Sequence, residues 1–204
     1  RRMDGLMEKK MILLAGYPGT GKSYLANMLM KENPDLKILS PDDIKEEYWD
    51  EFGYATLTEK EALIQKSWEA YYKRMEKMMT ESYSFISDYP FSKKQKSRLE
   101  ELSIKYQYNV ITVRMVGDIQ ILYERQRKRD LDLSRHLGHM MNHYHKGDFL
   151  EDRTKADSIL SYEEFFNRCT TRGYDTFTLG KTYEIDVSDF ARVDYDDIIK
   201  KITS

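Results

Sequence analysis

The stretch Lys10-Met11-Ile12-Leu13-Leu14-Ala15-Gly16-Tyr17-Pro18-Gly19-Thr20-Gly21-Lys22-Ser23 decides how the rest of the chain is read. An apolar run breaks into glycines and closes on Gly-Lys-Ser, meeting the spacing G-x-x-x-x-G-K-[ST] of a phosphate-binding loop at Gly16, Gly21, Lys22 and Ser23. Each residue type answers a demand of that chemistry. Gly16, Gly19 and Gly21 let successive N–H groups face one anion with no Cβ in the way. Lys22 brings a cation to β- and γ-phosphates, Ser23 offers a hydroxyl to Mg2+, and the helix that follows turns its positive end to the same spot. Tyr17, Pro18, Thr20 and Tyr24 complete the nucleotide-binding stretch. The flanks agree: Met11 to Ala15 suits a buried parallel strand, and Tyr24 to Met30 is apolar at helical spacing until Asn33-Pro34.

Working outward, 204 residues with 40% hydrophobic content suffice for one domain with its own core. Residues 1–9 read as a disordered or added N-terminal tail, and residues 10–204 as a single domain. With 33 basic and 35 acidic residues the net charge is −2, so no global positive field draws the chain to nucleic acid. The single cysteine, Cys169, has no intrachain partner, and no apolar run has the length of a membrane span. The expectation is a cytoplasmic protein without a membrane partner.

Four more strands are expected, at Leu36–Leu39, Ser84–Asp88, Asn109–Met115 and Thr182–Val187, each separated from the next by helix. Ser40 is the expected N-cap of a helix to about Asp50. Thr58 and Glu61 are expected to form a capping box for a long helix whose stripe of Leu63, Ile64, Trp68, Tyr71, Tyr72, Met75 and Met79 reads as core, with a pocket wall as the alternative. Ser92, Asp118 and Ser161 open further helices, and Tyr195 to Ile202 is the closing one. Five strands joined by helical crossovers predict an α/β fold, a parallel sheet with helices on both faces and a helical lid at about 125–153. Ligands of such sheets bind beyond the C-terminal strand ends, so the glycine loop, Asp42, Asp43 and Asp88 should converge.

The chemistry follows from those groups. Asp42, at a helix start, is placed to take the proton of an acceptor hydroxyl, with Asp43 as the capping partner. Asp88, ending a strand beside a phosphate loop, is placed to hold Mg2+ with Ser23. Arg125 and Arg129, four apart on one helix face, are read as a lid closing over phosphates. Arg135, His136 and His139, with His143 and His145 nearby, lack the ligand spacing of a zinc site and are read as lid or acceptor contacts.

With these residues the chain resembles the small P-loop kinases grouped with polynucleotide 5′-hydroxyl kinases and zeta-toxin-like kinases, described as AAA-type ATP-binding domains. Gly16 to Ser23 matches the family's loop, and Ser40-Pro41-Asp42-Asp43-Ile44-Lys45 resembles its Asn-Arg-Asp-Asp-x-Arg segment. Ile86-Ser87-Asp88 resembles the third-strand Ile-x-Asp, Glu124-Arg125-x-x-x-Arg129 the lid, and Thr182 to Phe190 the closing strand with the loop that approaches the nucleotide base. The resemblance implies a P-loop NTPase fold, ATP and Mg2+ as cofactors, Asp42 as general base, and Asp43 and Lys45 near an acceptor. Pro41 and Lys45 stand where the family carries arginines, which weighs against a phosphate-bearing polynucleotide. The expected activity is transfer of the γ-phosphoryl group to a hydroxyl of an unidentified small molecule. A polynucleotide 5′-hydroxyl kinase, suggested by Lys93, Lys94, Lys96 and Arg98, and a nonenzymatic nucleotide-dependent module are the alternatives.

Overall fold

The computed structural model describes residues 8–204. Residues 1–7 of the expected N-terminal tail lie outside the described residues. Glu8 accepts from Asn109 Nδ2 at 2.6 Å through Oε1, and the Lys9 carbonyl accepts from Asn109 N at 2.8 Å.

The elements run β1 (Lys10–Gly16), α1 (Lys22–Glu32), β2 (Lys37–Ile38), α2 (Pro41–Phe52), α3 (Leu57–Thr80), β3 (Phe85–Asp88), α4 (Lys93–Lys105), β4 (Asn109–Val116), α5 (Ile119–Leu131), α6 (Tyr162–Thr171), β5 (Lys181–Asp186) and α7 (Tyr195–Thr203). Single 3-10 turns stand at Leu137–His139, Arg153–Lys155 and Phe190–Arg192. The strands form one parallel sheet in the order β2-β3-β1-β4-β5. The chain winds in opposite directions across the sheet on leaving β1, towards β2, and on leaving β3, towards β4, so the crevice at the C-terminal ends of β1 and β3 is the switch point where a ligand fits.

Both faces of β1 are buried, which is why its sequence is a continuous apolar run rather than an alternation. Ile12 and Leu14 pack with Leu25 and Leu29 of α1, Leu122 of α5, Phe165 of α6 and Ile198 of α7. Met11 and Leu13 pack on the other face with Ile44 of α2, Tyr71, Met75 and Met79 of α3, and Leu99 of α4. The buried Tyr71 hydroxyl is satisfied by Ser87 Oγ at 2.6 Å, so burying it leaves no orphaned donor.

A third, smaller core holds Trp49, Tyr54 and Leu63 against Leu137, Met140 and Tyr144. It fixes the long segment after α5, which carries two 3-10 turns and is tied down by the Tyr54–Tyr144 bridge and by buried Arg153, donating to the carbonyls of Arg135 (2.8 Å) and Leu133 (3.0 Å).

Two helix starts differ from expectation. α3 begins at Leu57, with Thr56 Oγ1 accepting from Glu59 N at 3.2 Å and Glu59 Oε2 accepting from Ala55 N at 2.7 Å, two residues before the expected Thr58–Glu61 box. Both sequences satisfy the same capping pattern, and the bridge at Tyr54 selects the earlier one. Ser40 does occupy the N-cap of α2, but its side chain makes no cap hydrogen bond, so Asp43 is no capping partner. Ser92, Asp118 and Ser161 cap their helices as expected, and Ser92 and Ser161 do so in capping boxes with Gln95 and Glu164.

Candidate active site

β1 delivers its last residue, Gly16, with φ at +102°, where a Cβ would stand 1.9 Å from the Met115 carbonyl of β4. Only glycine closes this turn, and Tyr17 N then donates to that same carbonyl at 3.0 Å. Thr20 Oγ1 donates to the Tyr17 carbonyl at 2.9 Å, and the Lys22 ammonium donates to the Tyr17 carbonyl and to Thr20 Oγ1. Burial pushes Lys22 down to about 7, with Asp88 pulling upward and Arg129 pushing further down. A buried ammonium at a loop made for anions is a group whose charge a phosphate would restore. Pro18 to Ser23 line the cleft; Tyr24 instead stands exposed against Tyr195, their ring centroids 5.4 Å apart.

The carboxylates converge on this loop. Asp88 ends β3 with Oδ2 3.5 Å from Ser23 Oγ and with Oδ1 buried and, among the described residues, unpartnered. Burial pushes Asp88 up to about 6, opposed by Ser40 and Lys22 and assisted by Asp42. Asp42, in the first turn of α2, has the opposite character. Its burial penalty is outweighed by Lys45, His139, Arg135 and Arg129, which hold its carboxyl down at about 2. Asp43 is exposed, and partial burial beside Glu46 and Asp42 raises it. Lys45 is buried 3.6 Å from Asp42 Oδ1, donates to Tyr89 Oη at 2.9 Å, and lies over the Tyr89 and Trp68 rings at 4.6 and 5.4 Å.

The two arginines expected to act together are posted differently. Arg125 donates to the carbonyls of Val187 (2.6 Å) and Ser188 (2.8 Å) and stacks on Phe190 at 3.7 Å. It therefore anchors the loop after β5, and Phe190 sits beside Gly21, whose Cβ would be 3.5 Å from the ring. Arg129, one turn on, is exposed and lines the cleft.

The element Arg135-His136-Leu137-Gly138-His139 divides its labour. Arg135 is held by Asp130 at 3.2 Å and faces Asp42. His136 Nδ1 accepts from Gly138 N at 2.9 Å, so Nε2 carries the proton it donates to Asp50 Oδ1, also at 2.9 Å. Tyr144 adds a bond to the same oxygen at 2.6 Å. His136 is thus committed to bracing the segment. Gly138 has no room for a side chain, since a Cβ would lie 2.2 Å from the Trp49 ring. His139 packs edge-on against Trp49 at 5.0 Å with Nε2 3.4 Å from Glu46 Oε1, and burial lowers its basicity despite Glu46 and Asp42.

The loop residues Pro18 to Ser23, the three aspartates Asp42, Asp43 and Asp88, Lys45, the arginines Arg125, Arg129 and Arg135, and the histidines His136 and His139 border one cleft of about 2290 Å³, several times the roughly 300–1,000 Å³ of a single small-ligand pocket, which leaves room for two ligands. The α3 stripe is split between core and cleft: Tyr71, Met75 and Met79 are buried inside, while Ile64, Trp68 and Tyr72 line the cleft. Lys60, Tyr89, Arg168 and Arg172 line it too. Spacing did not single these out, although Tyr89 follows Asp88 directly and Trp68 and Tyr72 stood within the stripe.

A family model described as an AAA domain matches residues 11–143. A search of curated proteins returns no match. Among solved structures, a candidate kinase from Chloroflexus aurantiacus J-10-fl superposes with TM-score 0.73 at 18% identity, covering 97% of this chain and 96% of the other. A sugar kinase from Janibacter sp. HTCC2649 gives 0.55 at 11% identity, over 96% and 92%. The tunicamycin resistance protein of Deinococcus radiodurans gives 0.52 at 13%, over 96% and 94%. At these identities the likeness establishes the fold, a parallel-sheet P-loop architecture.

Proposed function

We propose, from the premise that this chain belongs to the AAA-domain family, that it is a P-loop kinase transferring the γ-phosphoryl group of ATP to a hydroxyl of a small molecule. The observation that carries the reading is the meeting of Lys22, the Ser23–Asp88 pair and Asp42 in one cleft. A switch or binding module needs the first two and has no use for a second, ionised carboxylate in the same cleft.

The residues fit Mg2+. Ser23 and Asp88 offer hard oxygen donors, and Asp88 Oδ1 is buried with no partner among the described residues. When bound, the ion would neutralise charge on the transferring phosphoryl group. Lys22 and the loop N–H groups hold the β- and γ-phosphates. Phe190 and Arg125, next to Gly21, provide an aromatic and guanidinium surface for the nucleotide base.

Asp42 orients the acceptor hydroxyl and receives its proton as the acceptor oxygen–phosphorus bond forms and the bond to the departing nucleotide diphosphate breaks. A loose phosphoryl-transfer transition state asks little base strength of this group, so a carboxylate held ionised by Lys45, His139 and Arg135 is suited to it. Arg129 and Arg135, which line the same cleft and act on Asp42, would offset charge as it moves.

The test is transfer of label from γ-32P-ATP to a library of hydroxyl compounds. A new labelled phosphomonoester, absent with Lys22→Ala, supports the kinase; nucleotide binding with no labelled product from any compound favours a nonenzymatic module. Lys93 and Lys94 of α4 line the open side of the cleft, which favours a polynucleotide 5′-hydroxyl as the second reading. An oligonucleotide with a free 5′-hydroxyl that stays unlabelled and unbound at low salt removes it.

A further inference from the structure

The cleft has a second pole, lined by basic side chains and by Glu61 beside Lys60 in sequence. There Lys60 of α3, Asn142 and Ser158 of the segment after α5, and Arg168 of α6 line the wall. Lys60 Nζ donates to the Met141 carbonyl at 3.1 Å, and Ser158 N donates to the Met140 carbonyl at 3.0 Å, so one turn of backbone brings both beside Asn142. The Ser158 hydroxyl is buried with no hydrogen-bond partner among the described residues, a cost that a bound ligand would remove. Lys60 lies over the Trp49 and Tyr54 rings, 5.4 Å from each, and neither it nor Arg168 forms a salt bridge among the described residues. Burial pushes Lys60 down to about 8; Asp157 opposes this, while Lys45 and Arg168 push it further. Asp157 is otherwise engaged, accepting from Asn142 N at 2.7 Å and lying 3.6 Å from His143 Nδ1, and it does not line the cleft.

The wall here thus offers two cations, an amide and an unused hydroxyl. That donor set matches a group with several acceptor oxygens and a negative charge. Its position relative to the chemistry is also set. His139, which faces Asp42, packs on the Trp49 ring that Lys60 touches, so one tryptophan separates the two poles.

We propose that Lys60, Asn142, Ser158 and Arg168 form a subsite for an oxyanion, a carboxylate or a phosphate, borne by the acceptor at the end remote from its reacting hydroxyl; this rests on the kinase reading of the cleft. The acceptor is then a small anionic hydroxyl compound, not a neutral alcohol or sugar. Lys45 is not the anion-binding group, being already committed to Asp42 and Tyr89.

The test follows the amide signals of Asn142 and Ser158 by NMR while inorganic phosphate, and separately acetate, is titrated into the full chain saturated with Mg2+ and a non-hydrolysable ATP analogue. Saturable shifts at these two amides at millimolar concentration, weakened at least about tenfold in Lys60→Met and several-fold in Ser158→Ala, are expected. Which anion acts names the source of the charge. The methionine keeps the apolar stem on Trp49, and analogue affinity unchanged in both variants reports an intact fold. Shifts confined to Gly19–Ser23, or absent at Asn142 and Ser158, overturn the subsite. Failure of the analogue to shift Gly19–Ser23 overturns the kinase reading instead, so the two fail separately.

Discussion

The two ends of the cleft are built in different ways. At the nucleotide end, a few consecutive residues fix backbone conformation, as with Gly16 under the Met115 carbonyl, and the backbone itself is the binding surface. At the proposed acceptor end, side chains from α2, α3 and the segment after α5 meet around Trp49, α6 adds Arg168 to the cleft lining, and nothing in their sequence spacing requires it. A backbone-built site is economical in sequence and tolerates change around it. A site of converging side chains can change its ligand by single substitutions on an unchanged sheet.

The sharpest way to break that contrast is Lys22→Met. Turnover should fall on the order of 10³-fold, the scale of losing one preorganised charge contact. Stability should move oppositely. The folded Lys22 pKa is lowered from 10.5 to about 7, so the free protein gains stability as pH rises from about 7 towards 10.5 and bears the full cost of the buried ammonium below that window. Denaturant unfolding against pH should show this rise in the wild type and a flatter curve in the variant. An unchanged pH profile would mean that Lys22 is solvated.

Asp88→Asn probes the same end with the opposite sign. The folded carboxyl is raised from 3.8 to about 6, so stability falls as pH climbs through that interval and the cost is complete above it. At pH above 7 the amide should therefore stabilise the free protein by about 1–2 kcal/mol while the Mg2+-dependent part of nucleotide affinity disappears. Calorimetry with and without Mg2+ reads both.

What was legible follows the same division. The parallel sheet, the loop and the positions of Asp42 and Asp88 at its C-terminal edge could be read because an apolar run ending in glycines, or a strand ending in aspartate, is a local pattern. The roles of Arg125 and His136 could not, because helical spacing places Arg125 beside Arg129 and says nothing of the Val187 and Ser188 carbonyls or the Asp50 carboxylate that engage these side chains. The start of α3 was misread because Thr56–Glu59 and Thr58–Glu61 offer the same box, and a contact 90 residues away in sequence, Tyr54 with Tyr144, decides between them.

Arg125→Ala sharpens the nucleotide end further. Loss of its stacking on Phe190 and of two hydrogen bonds should weaken nucleotide binding about tenfold, with transfer at saturating nucleotide less affected. A collapse of the maximal rate with affinity intact would return Arg125 to the phosphates.

At the acceptor end, Gly138→Ala drives a methyl into Trp49 and should cost about 1–3 kcal/mol, read as a lowered urea midpoint. Nucleotide affinity should hold, because the sheet edge that carries the loop lies in another core. Equal loss at both ends would show that the two are one cooperative unit.

The two ends are proposed to meet at Asp42 for phosphoryl transfer, which is read most directly in the single-turnover rate from γ-32P-ATP to the identified acceptor in wild type, Asp42→Asn and Asp43→Asn. Asp42→Asn should lower the rate roughly 10²–10⁴-fold with nucleotide affinity unchanged, and Asp43→Asn, at an exposed position, should have a mild effect. A near-normal rate in Asp42→Asn, or the large loss falling on Asp43→Asn, contradicts that role of Asp42.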